Sequence, residues 1–112
     1  MEKILNYIAE SLLSIGPTAS VLEAMHVMDE NRIHSLLVEE SGDYIGIITN
    51  HDISKKVVSE HLTPEKVQVA DIMNFPLIKL ESQESMEMAA QVMRDHDVHY
   101  LVVTEHGQML GT

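Results

Sequence analysis

The chain has 112 residues, 45% of them hydrophobic, and no cysteine, which suits about one soluble domain with a core and leaves no disulfide or thiolate metal site. Its 18 acidic residues against 7 Lys and Arg give a formal charge of −11, which repels a phosphate backbone and argues against nucleic acid as a partner. No apolar run approaches a membrane span, and charges interrupt the opening "MEKILNYIAE" where a signal peptide needs an apolar core, so no membrane insertion and a cytoplasmic location are expected.

In chain order, Leu12, Leu13 and Ile15 predict a short strand. Ser20 and Glu23 then read as a capping-box pair, opening a helix whose apolar face is Val21, Leu22, Ala24, Met25, Val27 and Met28. At helical spacing these methionines read as core rather than as a binding groove. "SLLVEE" and "YIGIIT" are β-favouring runs separated by Ser41, Gly42 and Asp43, a hairpin signal. Thr49 followed three residues later by Asp52 is a second capping-box pattern, ahead of a helix predicted over Ile53 to about His61. A single nucleotide could be held here by amides, hydroxyls and one or two cations, for which Arg32, Lys55 and Lys56 are the local candidates; the alternative is that these are solvated surface charges.

"SEHLTPEKVQVAD", with Pro64 after the helix, leads on without a low-complexity linker. The same series of elements then returns. Leu77, Ile78 and Leu80 predict a strand, Met86, Ala89, Ala90, Val92 and Met93 a helix face, and "YLVVTE" and "MLGT" a hairpin around His106 and Gly107. The two halves superpose without a gap at the offset that carries Ser20 onto Ser85, 65 residues on. That offset also carries Leu12 onto Leu77, Ala24 onto Ala89, Val27 and Met28 onto Val92 and Met93, "IHSLLV" onto "VHYLVV", and Gly46 onto Gly111. Self-similarity at a fixed period means two copies of one unit. The fold class predicted is α+β, with two β-α-β-β-(α) repeats packed against each other through small sheets that neither copy could bury alone.

These pieces resemble a tandem pair of CBS domains, a Bateman module. The likeness rests on "MDENRIHSLLVEESGDYIGIITNHDI" and "VADIMNFPLIKLESQESMEMAAQVMRDHDVHYLVVTEHGQMLG" and covers nearly the whole chain. Its most specific parts are the "DIM" at Asp71 to Met73 and the spacing of Gly46, Thr49 and Asp52. The first repeat is read as 1–62 and the second as 63–112. The resemblance implies a non-enzymatic regulatory module that senses an adenine nucleotide of the AMP, ADP or ATP class in the cleft between the repeats, requires no cofactor, pairs into a homodimer and acts on an effector protein or domain. It implies that Asp52 bonds the ribose hydroxyls, that Thr49 lies near ribose and phosphate, and that Ile33, His34 and Ser35 line the adenine or phosphate region. From the opposing copy it implies Val98, His99, Ile72 and Met73. The chemistry agrees, because a carboxylate at a helix start is a two-oxygen acceptor for a cis-diol.

Other readings stand beside this one. The module could be a ligand-free structural dimerisation unit, or bind S-adenosylmethionine or a metal ion. His34 and His99 recur at one position of each copy. They read as phosphate contacts, as structural strand histidines, or, with Asp52, as metal ligands. His26, His51, His61, His96 and His106 read as surface. An enzyme is not expected, since no glycine-rich phosphate loop, GxSxG or pairable nucleophile and base is present. The positions 65 residues beyond Thr49 and Asp52 fall past Thr112, so the second repeat is read as truncated, with at most one site of the usual type per chain. Apolar surface is then expected near Val57, Val58 and "MLG", covered by a second chain. Asp52→Ala is expected to remove binding without unfolding the protein.

Overall fold

The computed structural model describes Lys3 and residues 13–98, 100–106 and 108–111. They form two compact units, one of Leu13–Pro76 and one that begins at Leu77 and includes Lys3. Each is a three-stranded sheet with helices, the α+β arrangement that the sequence predicts.

In the first unit, β1 (Ser14–Ile15) pairs parallel with β2 (Ser35–Glu40), and β2 pairs antiparallel with β3 (Asp43–Thr49). Between β1 and β2 runs α1 (Val21–Asn31). Ser20 caps it, its Oγ accepting from the Glu23 amide at 3.1 Å. Val21, Ala24 and Met28 are buried at helical spacing, over the sheet face that carries Leu36, Val38 and Ile48. Ser41 and Gly42 both hold positive φ, 53° and 86°, as a two-residue hairpin turn requires. After β3 comes α2 (Asn50–Ile53), which runs on through a wider turn over Ser54–Val58. There the Ser59 amide reaches back five residues to the Ser54 carbonyl at 3.1 Å.

The chain then returns to the same unit. Val67 and Val69 bond the start of α1, with Val21 N to Val67 O at 2.8 Å and Val69 N to Ala19 O at 2.8 Å. α3 (Val69–Ile72) buries Val69 and Ile72 in the cluster of α1, β2 and β3. The stretch from Pro64 to Pro76, which the repeat register groups with the second copy, therefore sits within the first compact unit.

The second unit repeats the plan with β4 (Lys79–Glu81), α4 (Met86–His96), β5 (Val102–Glu105) and β6 (Gln108–Gly111). β4 pairs parallel and β6 antiparallel with β5. Ser85 Oγ accepts from the Met88 amide at 3.1 Å, as Ser20 does for Glu23. The two helices end alike, at Arg32 with φ 55° and Asp97 with φ 52°. Ala89, Leu101 and Val103 form the core, with Met86, Val92 and Met93 packed against it.

The methionines sit with the cores as their spacing predicts, Met28 fully buried and Met25, Met86 and Met93 half-buried against them. One expectation changes. Val57 is fully buried rather than exposed, because the wider turn rotates it into the core, whereas Val58 keeps 61% of its surface in solvent.

Candidate functional site

The polar step behind β3 is where the predicted residues meet. Thr49 leaves the strand with extended backbone and caps α2, its Oγ1 accepting from the Asp52 amide at 3.2 Å. The Asp52 carboxylate reaches back, and Oδ2 accepts from Thr49 N at 2.9 Å and from Thr49 Oγ1 at 2.8 Å. A complete capping box results, and it turns the carboxylate inward, leaving Asp52 5% exposed.

A third donor to the same oxygen comes from the segment after α3. Asn74 Nδ2 lies 2.7 Å from Asp52 Oδ2. Lys56, one turn beyond Asp52, places Nζ 3.6 Å from Oδ1 and donates to Ile72 O at 2.9 Å and to Asn74 Oδ1 at 3.3 Å. The ammonium on one side and the carboxylate on the other fix which way the Asn74 amide faces. The Asn74 backbone pairs with β3, with Ile47 N to Asn74 O at 3.0 Å and Asn74 N to Ile47 O at 2.8 Å. This close crossing requires Gly46, where a Cβ would stand 2.8 Å from Asn74 O and 2.9 Å from Met73 Sδ.

Most of the other predicted residues adjoin this network. Ser35 is the cross-strand partner of Thr49, and the His34 carbonyl accepts from Asn50 N at 3.0 Å. Ile72 is buried and Met73 half-buried beside Asn74. Ile33 and His34 also line an open groove of about 750 Å³, together with Leu22, Met25, Arg32, Ile53 and Val58. Val98 belongs to the second unit, its amide bonded to Met93 O at 3.0 Å, and His99 lies outside the described residues. The five histidines read as surface are all exposed. Lys56 was legible only as a local cation, and Asn74 and Gly46 gave no sign of meeting Asp52. Asp71, in the "DIM" triplet, caps α3 by accepting from Gln68 N at 3.1 Å. Among the described residues no group of three His, Asp or Glu side chains is placed to hold a metal ion, and no helix is long and apolar enough to cross a membrane.

The sequence model of the CBS domain matches twice, over residues 4–59 and 69–112. The chain belongs to the CBS domain family. It is a tandem CBS module, 35% identical over 98 residues to an uncharacterized protein of Methanopyrus kandleri, a match covering 86% of this chain and 50% of that protein. The chain thus spans about half the length of that relative, and less of a CBS domain-containing protein of Arabidopsis thaliana, 18%. Its CBS fold is similar to that of an uncharacterized conserved protein of Pyrococcus horikoshii, with TM-score 0.84 and 28% identity over 98% of this chain and 83% of the other. It is similar also to a Burkholderia ambifaria protein with CBS domains proposed for signal transduction, with TM-score 0.82, 26% identity and coverage of 96% and 82%.

Proposed function

We propose that this CBS pair is a cytoplasmic, non-catalytic regulatory module that binds an adenine nucleotide at Thr49 and Asp52. The observation that carries this reading is the cluster itself. Of the residues the resemblance implies, Thr49 bonds the inward-turned Asp52 carboxylate, Ser35 pairs with Thr49, the His34 carbonyl accepts from Asn50 N, and the Ile72 carbonyl accepts from Lys56, whose ammonium lies beside that carboxylate. A carboxylate so held is an acceptor for a ribose diol, and Lys56 offers charge to a phosphate. The signal-transduction role proposed for the Burkholderia protein is in keeping.

Titration calorimetry with AMP, ADP, ATP and S-adenosylmethionine tests this. Saturable binding of one of them, abolished in Asp52→Asn, is expected. Heat of dilution alone with all four would leave the structural dimerisation reading, which the filling of Asp52 Oδ2 by protein donors favours.

The same reading includes a homodimer. Leu22, Met25, Ile53 and the exposed Val58 give the groove an apolar lining, and Asp29 and Arg32 on its rim would pair with each other across a two-fold axis. Light scattering should give a dimer mass for wild type and a shift toward monomer in Val58→Asp. A monomer at all concentrations would contradict the assignment.

A further inference from the structure

We propose that Asn74 is a latch on Asp52, an internal donor occupying the acceptor position that an incoming diol needs, so that binding releases the segment after α3 from β3. The latch rests on the nucleotide reading above for what opens it. Asp52 Oδ2 already accepts three bonds, from Thr49 N, Thr49 Oγ1 and Asn74 Nδ2, which fills its acceptor capacity. Oδ1 lies 3.6 Å from the Lys56 ammonium. The two Thr49 bonds belong to the helix cap and are local to the chain turn. The bond from Asn74 is different, because it spans 22 residues and ties the chain just ahead of Leu77, where the second unit begins, to the first unit.

A diol presents two donors. One would bond Oδ1 beside Lys56, and the other must take the place of Asn74 Nδ2 on Oδ2. Once Asn74 lets go, Lys56 loses its partner at Asn74 Oδ1, keeping the Ile72 carbonyl. The backbone pair between Asn74 and Ile47 is then the remaining tie described for this residue. A ligand shifts such an equilibrium only through its different affinity for the two states, and competition for one oxygen supplies that difference.

Hydrogen exchange of the full chain, followed at the Asn74 and Ile47 amides, tests the latch with and without nucleotide. In Asn74→Ala both amides should exchange about tenfold faster than in wild type, the order expected for one lost charge-assisted hydrogen bond, with Leu36 to Val38 unchanged. AMP, ADP or ATP, whichever binds, should speed exchange of the same two amides in wild type and should bind Asn74→Ala about tenfold more tightly. Binding by Asn74→Ala alone would also support the latch. Unchanged exchange in the variant, or slower exchange at Asn74 on nucleotide binding, would overturn it. No nucleotide binding by either protein would overturn the nucleotide reading and the diol's part in opening, while exchange in Asn74→Ala would still decide whether Asn74 holds the segment.

Discussion

Asp52→Ala is expected to lower stability by about 3 kcal/mol, roughly 12 °C in Tm for a chain of this size. A helix cap alone would cost about 1 kcal/mol. The larger figure follows from burial. Asp52 is 5% exposed, and its removal strands the Thr49 amide and Asn74 Nδ2, each now donating to a charged oxygen at 2.9 Å and 2.7 Å. Lys56 adds little, since its side chain is 38% exposed and 3.6 Å away. Because Asp52 and Asn74 share one bond, denaturant titrations of the two single alanine variants and the double variant should be non-additive by about 1–2 kcal/mol. Additive losses, or a Tm change under about 3 °C for Asp52→Ala, would mean that the contact carries no weight in solution. A consequence for function is that binding lost in Asp52→Ala is ambiguous, which is why Asp52→Asn is the informative variant.

Gly46→Ala is expected to cost about 2–3 kcal/mol, although it adds one methyl and Gly46 has no positive φ. The new Cβ meets a backbone oxygen at 2.8 Å and a methionine sulfur at 2.9 Å. The sulfur can move. The oxygen is held, because Asn74 O accepts from Ile47 N and the Asn74 amide donates back. The segment must therefore lift from β3, taking Asn74 away from Asp52. Gly16→Ala serves as the control, since a Cβ there meets nothing within 4 Å and should change stability by less than about 0.5 kcal/mol. Equal Tm values for the two variants would show that the crossing at Gly46 is not tight.

The repeat was readable from sequence because it is carried by burial. Val21, Ala24 and Met28 on α1, and Ala89 and Val92 on α4, face cores of the same plan, so the apolar register at the 65-residue offset translates into two like units. Thr49 and Asp52 were readable because a capping box is local, three residues apart. Asn74 was not readable, since its bond to Asp52 depends on where the chain goes after Pro64. An internal alignment finds equivalent positions, whereas Val69 and Ile72, which that alignment groups with the second copy, are buried in the first unit. Gly46 was visible as one of the repeated glycines, but its reason, the backbone of Asn74 lying against it, is a tertiary contact with no local pattern.

Nucleotide binding at the Asp52 cluster should be visible residue by residue in solution. Amide chemical-shift mapping on ¹⁵N-labelled protein titrated with AMP, ADP and ATP tests it most directly. Saturating shifts are expected at His34, Ser35, Thr49 to Ile53 and Met73 to Asn74, with Asp43 and Tyr44 at the far end of β3 unmoved. Saturating shifts elsewhere with none at Thr49 to Ile53, or no shifts with any of the three, would contradict it.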